Sequence, residues 1–159
     1  MNTILDYEDV FNSGIDISTD IRPEVVTFAI ETVERVYVAP AFGELYQEML
    51  QTPEEYTNII NGTDSCPSLK LALEHMVWAY IIYDTVTSTR FTAVLKESDE
   101  SSRPDMSRIY KTSSHHWETG AMIIRQILQS LNMPTQPIAA LTTTFGELLW
   151  ANGDPNLML

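Results

Sequence analysis

The feature that most constrains this chain is one apolar stripe. Met106, Tyr110, Ser113, Trp117, Ala121, Ile124, Leu128 and Leu131 follow one another at steps of 4, 3, 4, 4, 3, 4 and 3. An α-helix turns once in about 3.6 residues, so these spacings put all eight on one face. A helix over residues 105–131, ended by Asn132 and Pro134, is the reading, and it would be about 40 Å long. Such a rod buries its apolar face only against another long element.

Residues 67–88 supply that partner. Leu69, Ala72, Leu73, Met76, Tyr80 and Tyr83 form one stripe, and Leu71, His75, Trp78 and Ile82 form a second. Two apolar faces predict burial on both sides, within the domain or between it and a neighbour. A further helix is expected to open with Asp20 as cap, Pro23 in the first turn and Glu24 at the positive end of the dipole. Val26, Ala29, Ile30, Val33, Val36 and Tyr37 would face inward and Glu31, Glu34 and Arg35 outward, with Pro40 stopping or bending it. Phe42, Leu45, Tyr46, Met49 and Leu50 predict a short helix over 41–51. Thr52-Pro53-Glu54-Glu55 then reads as a new start, with Thr52 as N-cap, Glu55 closing a capping box and the end near Gly62. Residues 62–68 are a loop by composition. Ahead of all this, residues 1–20, with their alternation over 14–18 and Ile21 beyond, read as a short extended lead-in rather than a helix.

Two stretches do not suit a bundle. Arg90 to Leu95 is β-prone, and residues 96–105 are charged and Ser-rich, which predicts an insertion between the long helices. Beyond Asn132, Leu141, Phe145, Leu148, Leu149, Trp150, Leu157 and Met158 are too apolar for a disordered tail, while Pro134, Pro137, Gly153 and Pro155 forbid one continuous helix. An extended C-terminal arm satisfies both. The expected fold is therefore mainly α: a small helical bundle over residues 1–132 with a β-prone insertion, and a docking arm over 133–159.

At 159 residues, 44% of them hydrophobic, one core is the expectation. Nine Lys and Arg stand against 22 Asp and Glu, a net charge of −13. Residues 1–66 carry 2 basic and 13 acidic groups, residues 67–131 carry 7 and 7, and the remainder 0 and 2. The acidic first part would be repelled by phosphate backbones but is suited to a basic protein partner. Arg90, Lys96, Arg103, Arg108 and Lys111 are five of the nine basic residues within 22 positions. They read as a solvated loop balanced by Glu97, Asp99, Glu100 and Asp105, or as a basic docking surface for another subunit's acid face.

Catalytic chemistry finds no foothold. No phosphate-binding loop, dinucleotide fingerprint, zinc-protease helix, C-x-x-C or nucleophile elbow occurs, and none of the three histidines has Glu three residues before it, as helical carboxylate metal sites require. His115 and His116, adjacent on a helix, point about 100° apart and read as surface or packing residues. His75 reads as a hydrogen-bonded core or interface histidine, and Cys66 as an inert thiol. Asn61-Gly62-Thr63 reads as a helix end. Neither a signal peptide nor an apolar run of membrane-spanning length is recognised, so a soluble, intracellularly made protein without metal, cofactor or enzymatic activity is expected.

The order of features carries a resemblance. Pro23-Glu24-Val25-Val26 opens a helix, Val38-Ala39-Pro40-Ala41-Phe42-Gly43-Glu44-Leu45-Tyr46 bends into the next, and a long aromatic helix is followed by Arg90-Phe91-Thr92-Ala93-Val94-Leu95-Lys96-Glu97-Ser98-Asp99 before the last. Over residues 9–132 this resembles the head-to-tail connector, or neck adaptor, family of tailed bacteriophages, of the crAss-like phage and Bacteroides prophage type. Phe42 stands where relatives tend to have Leu. The resemblance implies a structural virion subunit in a ring of about twelve copies below the portal, in the neck of the tail. The ring would extend the DNA channel, let DNA pass without specific binding, and contact the portal protein and other neck or tail proteins. Subunit-interface candidates are Leu71, Trp78, Ile82, Arg90, Phe91, Lys96, Arg103, Phe145, Leu148 and Trp150. A different class fits the charge alone: a small acidic regulatory protein that mimics DNA and inhibits a nucleic-acid enzyme.

Overall fold

The computed structural model describes residues 2–13, 15, 21–87 and 106–135, and these are mainly helical, with one isolated bridge between Thr63 and Cys66. The expected insertion at 90–105 and the arm beyond residue 135 lie outside the described residues. At the centre, α6 (Leu69–Thr87) packs along α7 (Met106–Ser130). The Ser113 hydroxyl donates to the Ala79 carbonyl at 2.9 Å, while Gly120 sits against the Ala72 carbonyl and Met76. Rising numbers on one helix meet falling numbers on the other, so the pair is antiparallel. A Cβ added at Gly120 would stand 2.7 Å from the Ala72 oxygen, closer than carbon and oxygen can approach, and glycine is what lets the backbones meet there.

Of the α7 stripe, Ser113, Trp117, Ala121, Ile124 and Leu128 are buried and Leu131 is half-buried; Ile123 and Ile127 widen the buried face. On α6, Leu69, Ala72, Leu73 and Met76 are buried as their stripe predicts, joined by Val77, Ala79 and Ile81. Each fully buried Leu, Ile or Met contributes about 1.5–3 kcal/mol before entropy is subtracted, so this seam is the main apolar reservoir of the fold. The end of α7 is set by its sequence. Asn132 takes the left-handed conformation (φ 54°), its N–H bonds the Gln129 carbonyl and the Met133 N–H bonds the Leu128 carbonyl. That is a Schellman stop, with Pro134 following as expected.

A second layer crosses the pair. It comprises α2 (Pro23–Thr32), a π-helical turn (Val33–Val38) and α3 (Ala39–Phe42), and it buries Val26, Ala29, Ile30, Val33 and Val38. Tyr37 meets Trp117 edge to face, with ring centroids 5.0 Å apart. Pro40 does not stop the helix. It lacks an N–H and would press on the carbonyl four residues back; the ladder widens just before it, the Ala39 N–H reaching back five residues to Glu34, and the chain runs on to Phe42. Two side chains of this turn are placed against expectation. Val36, expected inside, is 48% exposed, and Glu34, expected in water, is 2% exposed. Gly43 (φ 59°, ψ −130°) then makes the turn into α4 (Glu44–Gln51), a backbone state essentially reserved for glycine.

Two further expectations are corrected. The lead-in is not extended throughout: Asp6 accepts from the Asp9 N–H and Asp9 from the Asp6 N–H, a capping box that starts α1 (Tyr7–Asn12). The capping box expected at Thr52 does not form. Its hydroxyl donates to the Glu48 carbonyl at 3.2 Å and so serves the end of α4, and a 3-10 turn (Pro53–Tyr56) leads into α5 (Thr57–Ile60), with Asn61 as its C-cap.

Candidate interface and buried polar centres

Seven of the ten interface candidates, Arg90, Phe91, Lys96, Arg103, Phe145, Leu148 and Trp150, lie outside the described residues. The other three share one side of α6. Leu71 is 40% exposed, and Trp78 and Ile82 are half-buried, so this second stripe is only partly covered.

What covers part of it is a histidine pair. Nδ1 of His75 and Nδ1 of His116 are 2.8 Å apart, and the rings stack with centroids 5.0 Å apart. The Trp78 indole lies 4.9 Å from the His116 ring, and the His115 ring stands 5.9 Å from it. All three histidines of the chain thus converge on one place, because the antiparallel register puts His75 opposite His116 between the Ala72–Gly120 and Ala79–Ser113 contacts. Burial, followed by the neighbouring imidazoles, holds His75 below the usual histidine range; burial and then His115 do the same for His116. The expected packing role of His75 and His116 is met, but their mutual contact was not foreseen: it depends on helix register, which periodicity alone does not give. Trp78 Nε1 is buried with no hydrogen-bond partner.

The second polar centre was missed in the sequence. The Glu34 carboxylate accepts from the Ile4 N–H at 2.9 Å, the Leu5 N–H at 2.8 Å and the Tyr46 hydroxyl. Desolvation pushes its carboxyl above the ordinary value against the opposing pull of these donors, and burial followed by the Glu34 charge raises the Tyr46 phenol. Four residues from Ile30 and four from Val38, Glu34 falls on the inward stripe, which was the available signal. An open groove of about 500 Å³, lined by Thr3, Glu31, Arg35, Gln47 and Gln51, lies beside this centre. The Lys70–Asp9 ion pair, 2.7 Å, ties α1 to α6 nearby.

Among the described residues no group of three or more His, Cys, Asp or Glu is arranged to hold a metal ion, and no helix is long and apolar enough to cross a membrane. Comparison with known proteins finds no matching family profile, no matching curated protein and no matching solved structure.

Proposed function

We propose that this chain is a structural subunit of a head-to-tail connector, one member of a ring below the portal that joins capsid to tail. The observation that carries the reading is apolar surface left in water on four different elements. Phe28 on α2 is 58% exposed, Val36 in the π turn 48%, Leu71 on α6 40% and Met122 on α7 50%. A ring subunit needs two unlike, complementary patches, and apolar positions on different elements of an acidic molecule are suitable material for them. The reading also draws on the resemblance of residues 9–132 and on the acidic first part, which would let DNA pass without adhering. The portal protein and other neck or tail proteins are the partners this implies.

The test is size measurement by light scattering on the full chain, alone and mixed with purified portal rings. A stoichiometric complex with the portal, weakened by Phe28→Lys or Leu71→Lys, is the expected result; a chain that remains monomeric beside portal rings contradicts it. One observation favours a second reading. Glu44, Glu48, Glu54 and Glu55 are all exposed along α4 and the turn after it, as a DNA-mimic inhibitor would require. Inhibition of a DNA-binding enzyme that is relieved by added DNA would support that reading instead.

A further inference from the structure

The contact between His75 and His116 is chemically conditional. With the two Nδ1 atoms 2.8 Å apart, one must carry a hydrogen and the other must offer its lone pair. A neutral pair meets this with one Nδ1–H tautomer and one Nε2–H tautomer. A first proton also preserves it, since the donor ring takes up the charge at Nε2 and the bond becomes charge-assisted. A second proton destroys it: both Nδ1 atoms are then N–H donors, and two cations face each other at stacking distance. We propose that the His75–His116 contact is an acid-sensitive joint between α6 and α7, which opens when both rings are protonated and uncovers the Trp78 side of α6.

Among the described residues no carboxylate is placed to offset that second charge. Within the described residues, the charges acting on His75 come from His116 and His115, and that acting on His116 from His115. Glu74, next to His75 on α6, interacts instead with Asp9 of α1 and Lys70. On α7, Lys111 and Glu118 are exposed. From the crossing layer, Glu34 is occupied by Ile4, Leu5 and Tyr46, and Arg35 and Glu24 are exposed, with Glu31 beside the Glu34 groove. Opening also has a compensation. The Trp78 indole N–H, buried without an acceptor, gains water when His116 swings off its ring, which offsets part of the lost contact. Gly120 and Ser113 hold the helices together on either side, so the change is local, and it meters exposure of the face that carries Leu71, Trp78 and Ile82. The inference stands on this geometry and does not depend on the connector reading.

The experiment is an NMR titration of the full chain from pH 8 to pH 5, following the imidazole carbon-bound protons and the indole N–H of Trp78. The expected result is that His75 and His116 titrate in two coupled steps, both below the ordinary histidine midpoint and about one pH unit or more apart. Exchange of the Trp78 indole proton with water should rise only with the second step. His116→Gln should collapse the His75 titration to one step, and the double variant His75→Gln, His116→Gln should lose the Trp78 response. Two independent single-step titrations at the ordinary midpoint would overturn the proposal, as would a Trp78 response retained in the double variant. The wild-type titration decides the matter even if a variant fails to fold.

Discussion

Tyr46 donates its hydroxyl to Glu34 across 12 residues of sequence, inside the protein, and the same carboxylate holds the Ile4 and Leu5 amides. One side chain thus fastens the N-terminal segment and α4 to the π turn. Glu34→Gln keeps the shape but replaces one accepting oxygen with a donor, leaving at least one of three donors without a partner. A loss of about 1–3 kcal/mol in denaturant unfolding is expected. Tyr46→Phe should cost less, since the carboxylate keeps both amides.

Gly120 marks the closest approach of the two long helices. Gly120→Ala gains helix propensity but pushes a methyl group against the Ala72 carbonyl and Met76. Overpacking wins, and a net loss of about 1–3 kcal/mol is expected. A variant with an unchanged or raised thermal midpoint would show that the helices separate at little cost.

Trp117 is fully inside, with its ring against Tyr37. Trp117→Ala removes the largest buried side chain where α7 meets the π turn, and should destabilise the fold by about 3–5 kcal/mol. Tyr37→Ala in the same background should add less than it does alone, because the two rings share one contact.

Two buried centres should make stability depend on pH in opposite senses across the mid-acid range. His75 and His116 are held below the unfolded histidine value of 6.5, so the unfolded state binds more protons below that pH, and their contribution, complete above it, is lost as pH falls. Glu34 is raised above its unfolded value of 4.5, so the folded state binds the extra proton, and its contribution is complete below 4.5 and lost as pH rises through the folded value. Urea midpoints from pH 4 to 8 measure this. Removing both histidines with Gln should flatten the decline on the acid side of pH 6.5, and Glu34→Gln should flatten the decline above pH 4.5.

The long helices were legible because their stripes are long and regular. The stripe from Ser113 to Leu128 turned out to be the buried face, and the stop at Asn132 and Pro134 followed from the left-handed tolerance of Asn and the missing N–H of Pro. What the periodicity missed was local backbone invention. The π turn ahead of Pro40 turned Val36 outward, which a uniform 3.6-residue turn cannot anticipate, whereas Glu34 lay on the inward stripe four residues from Ile30 and only its charge spoke for the outside. The Asp6–Asp9 capping box lay in plain view but was outweighed by the alternation just after it, and Thr52 served the helix before it rather than the one after. Of the candidate interface, the half-covered side of α6 was legible from its second stripe. The histidine pair across it was not, since it exists only once α6 and α7 take their antiparallel register.

The connector proposal is tested most directly by a symmetry-resolved reconstruction of the neck of tailed-phage particles purified from cells that express this chain, with mass spectrometry of the same particles. The account predicts the chain in purified virions, and a ring of about twelve copies at the portal–tail junction into which the antiparallel α6–α7 pair fits, with Phe28, Val36, Leu71 and Met122 among the positions covered by neighbours. Absence of the chain from the particles, or a ring whose density cannot hold that helix pair, would contradict it.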